Sequence, residues 1–377
     1  MITNSSQKIR PVKLDDTNAI NSLLASAWFA ERSQLGWKWL FEENPAQGAH
    51  SPGFVVQNQN EEVVGFIGCC VKDFSHKGET LKAVSGHSHI AHPNQLHVGI
   101  KLIREVIKQN VGFGSYTLNN NEIAARIYPR IKNNISLFEP TANIVLQWIT
   151  NPGLYITSGL RRRYHMMSNF RNSRNGKERF GKVPPLAASA FKLPNNTNLI
   201  ADHTECSNEI DAFWAKLRHS DNLYTNRSSK TINWVLSNPD FKIPPIFITF
   251  EGSEGIEGWL LAVISKETEI SAPILSVIDL ISLPGKEAQT FPDLIRAAKS
   301  IATELNLEKL QIPHVRQVTI NALVPELSAA NIKNGPYNHA HGTFYSGYSS
   351  ENLRNIWFQT PLDGDYAFCL RPFPLDN

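Results

Sequence analysis

The sequence predicts an α+β fold built twice along one chain: two domains, each a mixed, mostly antiparallel sheet flanked by helices. Three observations lead there. A stretch near the N-terminus is rewritten about 195 residues later. Both copies run in the order helix, hairpin, strand, helix, strand. The chain, at 377 residues, has the length of two ordinary domains.

The first copy opens with Trp37-Lys-Trp39-Leu-Phe-Glu-Glu-Asn44-Pro45, an aromatic helix that proline ends, because the residue before proline is pushed out of the helical region. A strand at 53–57, a polar turn at 58–61 and an apolar strand at 63–71 make a hairpin. A third strand is expected at 82–91. The helix at 99–109 follows from Ile100, Leu102, Ile103, Val106 and Ile107, which form one stripe. A short strand at 114–118 closes the set. The second copy begins with Asn233-Trp234-Val-Leu-Ser-Asn238-Pro239, again an aromatic helix ended by Asn-Pro. Its hairpin strands are 246–250 and 258–264, and a third strand spans 274–282. Leu294, Ile295, Ala298 and Ile301 place a helix at 291–305, ahead of a strand at 310–312. The basic, aperiodic stretch 161–194 reads as a linker or loop. The expected domains are therefore 1–160 and 195–377, and the run Arg161-Arg162-Arg163 is a solvated linker face.

Composition narrows the class. A hydrophobic share of 41% with 10% aromatics suits a well-filled core, and a net charge of +3 gives no argument for a nucleic-acid partner. Cys69, Cys70, Cys206 and Cys369 lack metal-ligand spacing, so no metal is expected. Adjacent Cys69 and Cys70 in an apolar strand should point to opposite faces. Buried, reduced thiols and an N-terminus without an apolar leader core fit a cytoplasmic location. No apolar run approaches the length of a membrane span.

One segment carries chemistry. Tyr116-Thr-Leu-Asn-Asn-Asn-Glu-Ile-Ala-Ala-Arg-Ile-Tyr128 is a short strand ending in three asparagines, then a helix. Asn121 suits the N-cap, where its oxygen accepts from free amides. Ala124 and Tyr128 stand one i,i+4 step apart on the helix surface. A small residue there admits a bulky ligand, and the phenol can donate to it. Upstream, His92-Pro93-Asn-Gln-Leu96-His97-Val98-Gly99-Ile100-Lys101 opens a helix, whose first amides suit phosphate oxygens, and glycine lets a ligand come close.

These residues resemble the GNAT N-acetyltransferase superfamily, and the doubled pattern resembles tandem-GNAT proteins found with polysaccharide and lipopolysaccharide biosynthesis genes. The likeness covers both halves and includes Trp357-Phe-Gln-Thr-Pro-Leu-Asp363-Gly-Asp365 near the C-terminus. The resemblance implies an N-acyltransferase that uses acetyl-CoA or another acyl-CoA. Its cofactor would lie along Ile90, Ala91, His92, Leu96, His97, Val98, Gly99, Ile100, Lys101, Asn121 and Ala124. Tyr128 would face the leaving sulfur, and a backbone N–H around 90–92 would polarise the carbonyl. Two positions depart from the family pattern: Leu96 stands where Arg or Gln is usual, and Lys101 replaces a second glycine. The second copy lacks this loop, which makes 1–160 the expected cofactor domain and 195–377 a degenerate one.

The acceptor must be a neutral amine to attack, so a base is sought. His87, His89 and His92 lie on one strand and are expected to share a face, where His87 or His89 could take the proton; a structural role is equally open to them. Asp279, alone in the apolar run 275–281, could bind a substrate amine or pair with an arginine. Asp363-Gly364-Asp365 reads as a turn. The expected acceptor is a small or carrier-linked amine, such as an amino sugar. Two other readings stand beside this one: an aminoacyl transferase of the peptidoglycan-bridge type using charged tRNA, and a non-catalytic tandem binding protein.

Overall fold

The computed structural model describes residues 7–26, 29–95, 97–120, 122–131, 134–137, 144–167, 191–241, 243–267, 271–313, 315–334, 339–345 and 348–372. The chain forms two compact units, and neither is a continuous stretch. Elements are numbered along the chain.

Unit 1 is residues 1–140, 218–240 and 336–369. Its strands are β1 (Lys8–Pro11), β2 (Gly53–Gln57), β3 (Val63–His76), β4 (Glu79–Ala91), β5 (Gly114–Asn120), β6 (Asn134–Ser136), β9 (Tyr224–Thr225) and β15 (His339–Phe344). They form one sheet in the order β1-β2-β3-β4-β5-β15-β6, with β9 on β3. All neighbours are antiparallel except β4 and β5, which are parallel. The helices are α1 (Thr17–Ser26), α2 (Gln34–Glu42), α3 (Val98–Lys108), α4 (Glu122–Ile127), α7 (Ser229–Leu236), α11 (Ser350–Ile356) and α12 (Tyr366–Cys369).

Unit 2 is residues 141–217, 241–335 and 370–377. Its sheet runs β14 (Asn331–Asn334), β7 (Ile144–Ile149), β13 (Lys309–Ile312), β12 (Pro273–Ser282), β11 (Gly255–Lys266), β10 (Ile246–Gly252) and β8 (Thr197–Ile200), with β16 (Arg371–Pro372) on β11. Its helices are α5 (Pro152–Met167), α6 (Ser207–Leu217), α8 (Glu287–Glu304), α9 (Gln317–Ala322) and α10 (Val324–Leu327). Both sheets are the mixed, mostly antiparallel, helix-flanked kind expected from the repeat.

The division differs from a cut at 161–194. β15, from the far end of the chain, is inserted between β5 and β6, and β7, from the first half, runs between β14 and β13. Each unit is therefore completed by a strand from the other half. Arg161–163 do not form a loop: they lie on α5, and Arg162 pairs with Glu267 at 2.8 Å and approaches Glu308 at 3.6 Å. Residues 168–190 of the expected linker lie outside the described residues.

The core of unit 1 explains the sequence pattern. The α3 stripe, with Val98, Leu102, Ile103 and Val106 buried, packs on Ile67, Cys69, Val71 and Val84. Cys69 points into this layer. The Cys70 sulfur meets the Asn44 amide on the opposite face at 3.5 Å, as the alternation of a strand requires. Both thiols are free, and burial raises the pKa of each, that of Cys70 to about 11. The two repeat helices both belong to unit 1. Trp39 on α2 and Trp234 on α7 stack with ring centroids 4.7 Å apart, and each indole N–H donates to the other residue's carbonyl, at 2.7 and 3.3 Å. The asparagines ending these helices serve alike: Asn44 accepts from the Ala46 amide and Asn238 from the Asp240 amide.

Asp363 stands at a turn, as the sequence suggests, but inside the protein. It is fully buried and closes a short 3-10 turn at Pro361–Asp363. Its carboxylate accepts from the equally buried Arg227 at 2.8 Å, the Thr225 hydroxyl, the Trp357 indole at 3.1 Å and the Thr360 amide at 3.0 Å. The pair is paid for only because every lone pair finds a donor.

Candidate functional site

The parallel pair β4 and β5 is held by three partners, Ala83 with Gly114, Val84 with Ser115 and Ser85 with Tyr116. β4 runs on to Ala91 and β5 to Asn120, so their carboxyl ends continue past the last ladder pair. Ligands gather outside the carboxyl ends of parallel strands, where a following helix points its amides at them.

β4 is interrupted just there. Gly68 of β3 lies opposite His87 and Phe66 opposite Ile90, so β4 carries one extra residue, and Ser88 takes a φ of 50°. A left-handed conformation at a serine stores strain of about 1 kcal/mol or more. The extra residue also resets the pleat. His87 stays on the face of Phe66 and Gly68, while His89 turns to the face that α3 covers. The expectation that these histidines share one face fails, because alternation holds only without a bulge.

His87 is 2% exposed. Its ring lies edge-on to Phe66 at 6.3 Å and to Phe368 at 6.0 Å. Gly68 makes room for it: a Cβ there would sit 1.9 Å from the imidazole Cε1. Nδ1 is 3.2 Å from the Ser88 hydroxyl, and the buried Nε2 meets no hydrogen-bond partner among the described residues. Burial, then the nearby Arg32 and Lys72 cations, lower its pKa to about 3. His89, half-buried, is lowered by burial to about 4, offset in part by a hydrogen bond to the Gly99 backbone. Both imidazoles are neutral at pH 7. They are weak bases and serviceable hydrogen-bonding groups.

Three segments meet on the α3 face. The ring of His89 lies against Gly99, where an added Cβ would come within 3.2 Å of Nε2, and Ile127 of α4 lies 4.0 Å from the same point. α3 starts after His97, whose side chain makes no capping bond, and the Val98 amide donates to the Gln95 carbonyl at 3.1 Å. His92, Asn94 and Gln95 form the turn leading in. Lys101 turns aside: its ammonium donates to Gln7 at 2.8 Å, and the Gln7 amide donates to Gln95 at 2.6 Å. Ile90 is buried, and Ala91 packs on the core beneath α3. Leu96 and Asn121 lie outside the described residues.

Ala124 is partly buried against the same core cluster, which includes Tyr128. α4 stops at Ile127, so Tyr128 does not complete a helical i,i+4 step from Ala124. It begins a 3-10 turn, Tyr128–Arg130, with Pro129 breaking the helix. Tyr128 is 4% exposed, and burial raises its phenol well above the ordinary value, with a hydrogen bond to the Thr117 side chain acting the other way. Its ring stacks on His341 of β15, with centroids 5.3 Å apart and planes 7° from parallel. Thr117 stands opposite His341 in the β5–β15 ladder. Sequence reasoning missed both residues. The one trace of the strand was the run His339-Ala-His-Gly-Thr-Phe344, which holds no motif.

Asp279 belongs to unit 2 and the Tyr128 cluster to unit 1. It is fully buried on β12 and accepts from the Trp259 indole at 2.9 Å. Its ladder partner is Leu261, the position that matches Gly68 opposite His87. Elsewhere in unit 1 a cavity of about 30 Å³, room for a single water, is bounded by Asn44, Val71, Lys72, Arg227, Trp234 and Leu362. Among the described residues no group of His, Cys, Asp and Glu could hold a metal ion, and no helix is long and apolar enough to cross a membrane.

The sequence matches no family model and no curated protein. Solved structures match at the level of fold. N-myristoyltransferase from Saccharomyces cerevisiae with bound myristoyl-CoA aligns at 11% identity and a TM-score of 0.52, covering 94% of this chain and 84% of that one. The same enzyme with myristoyl-CoA and inhibitors aligns at 12% identity and 0.53, covering 92% and 81%. A conserved Enterococcus faecalis V583 protein of unknown function, a probable N-acyltransferase, aligns at 11% identity and 0.53, covering 93% and 74%. The likeness covers most of the chain and is one of fold: mixed sheets flanked by helices.

Proposed function

We propose that the chain is an acyl-CoA-dependent N-acyltransferase with its cofactor site in unit 1. The observation that carries the reading is the meeting of the strained end of β4, the start of α3 and the Ile127–Tyr128 turn at Gly99. The fold neighbours support the class, since the yeast structures hold myristoyl-CoA.

The residues present fit such a group. The first-turn amides of α3 would take its phosphates, with Gly99 allowing close approach. The backbone of Ile90 and Ala91, beside the bulge, would face the thioester carbonyl, which is the activated acyl group that acyl-CoA supplies; the His92 amide already donates to the Val64 carbonyl at 2.8 Å. Tyr128, its phenol held neutral by burial, keeps a proton for the sulfur side. His89, neutral and weakly basic at Gly99, would orient the acceptor rather than strip its proton, so the amine reaches the site uncharged; His87, buried on the opposite face, takes no part in this. Lys101 is drawn off to Gln7.

Our finer reading is N-acetyl transfer from acetyl-CoA to a small or carrier-linked amine, such as an amino sugar in surface-polysaccharide synthesis, by a cytoplasmic enzyme. Titration calorimetry with acetyl-CoA and CoA tests the class. We expect saturable binding below millimolar concentration, and no heat from either at millimolar concentration rejects it. CoA binding without turnover on any amine would favour the non-catalytic reading, which the Leu96 and Lys101 departures keep in play.

A further inference from the structure

We propose that His341 is a positioning residue for Tyr128: its imidazole fixes the plane of the phenol ring, and thereby the direction of the phenol hydrogen. The inference rests on the acyltransferase reading above.

The geometry has three parts. First, the rings are stacked nearly parallel, 5.3 Å between centroids and 7° between planes, and both side chains are buried, at 4% and 7% exposure. A stacked neighbour blocks one face of the ring and leaves few torsional choices. Second, Thr117 of β5 acts on the phenol as a hydrogen-bonding neighbour that lowers its pKa, and the Thr117 hydroxyl is itself fixed by the Asn120 amide at 2.5 Å. Thr117 and His341 are ladder partners, so the two groups that locate Tyr128 are locked to each other by the sheet. Third, Tyr128 has no helix of its own to hold it. α4 ends one residue earlier, and a 3-10 turn with Pro129 follows. Without the stack, the ring would rest on the core cluster beneath α3 alone, with only a six-residue helix and a three-residue turn behind it.

β15 thus does more than close the sheet. It carries a side chain from residue 341 onto the one phenol that the cofactor site uses. Misplacing a catalytic group by an ångström costs on the order of 10²-fold in rate. The expected signature is a loss in kcat with little change in the KM for acyl-CoA.

The experiment compares wild type, His341→Ala, His341→Phe, Tyr128→Phe and the His341→Ala/Tyr128→Phe double variant in acetyl-CoA turnover, after thermal melts show that each is folded. His341→Ala should lower kcat by roughly 10²-fold, and His341→Phe, which keeps a flat partner, should restore most of it. In the Tyr128→Phe background, His341→Ala should do nothing further, because its effect passes through the phenol. Additive losses, or a wild-type kcat in His341→Ala, overturn the proposal and leave the acyltransferase reading standing. A readout free of activity runs beside this: in protein with ¹³C-labelled tyrosine, the Tyr128 ring resonances, assigned by Tyr128→Phe, should move in His341→Ala and broaden as the ring gains freedom. Unmoved resonances overturn the proposal. Wild type that binds no acyl-CoA overturns both readings.

Discussion

His87 should make the protein acid-sensitive in a way one substitution removes. Its folded pKa is about 3 against 6.5 when unfolded. Between those values the unfolded chain binds a proton at this site and the folded chain does not. The folded state therefore gains from His87 above pH 6.5 and loses as pH falls through the window toward 3. From pH 7 to pH 5 the loss is about 2 kcal/mol, taking the unfolded histidine as the only one of the pair that titrates. His87→Gln removes the titration and retains a polar, planar side chain. Urea unfolding of both proteins at pH 7, 6 and 5 gives the two slopes, and the wild type should lose about 2 kcal/mol more than the variant over the range. The comparison cancels His89, which is present in both. Parallel slopes would refute the reasoning, as would a His87 ring whose NMR titration midpoint lies near 6.5. Either result would mean that water reaches the ring despite Phe66, Phe368 and the β3 backbone.

Two further substitutions test the packing around the site. Gly68→Ala puts a methyl 1.9 Å from the His87 ring, which Phe66 and Phe368 hem in, and should cost about 1–3 kcal/mol by denaturant unfolding; His87→Ala in the same chain should recover most of it, and no recovery would locate the clash elsewhere. Asp363→Ala strands the buried Arg227 and should cost about 3–5 kcal/mol; adding Arg227→Met should return part of that, whereas a loss below about 1 kcal/mol would mean the pair is hydrated.

The repeat made most elements legible. Short-range periodicity locates α3 and β3, and the two Asn-Pro helices announce themselves, because local sequence decides where a helix stops. Partner choice between strands is another matter. The sequence reading passed over the runs 144–149 and 339–344, and nothing local says that each completes the other half's sheet. Sequential strands usually neighbour one another, and here that rule misleads. The same limit explains the site. The Gly99 and Tyr128 positions were visible as motifs. The bulge at Ser88 was not, since one added residue leaves the composition of β4 unchanged while moving His89 to the other face. His341 was out of reach altogether, being 213 residues from the tyrosine it stacks on.

The exchanged strands have a consequence for how the protein is made. Translation delivers the chain from the N-terminus, and domains ordinarily fold as they emerge. Here a ribosome that has finished β5, α4 and β6 has not yet made the strand that separates β5 from β6. That strand is finished only at Phe344, and Trp357 and Asp363 follow it. Until then the nascent first half carries an open sheet edge, a form prone to pairing with the wrong partner. Its closure is a late, long-range event of high contact order, the kind that folds slowly. A stop codon anywhere before residue 339 would therefore remove more than the second half: it would leave the first without its inner strand.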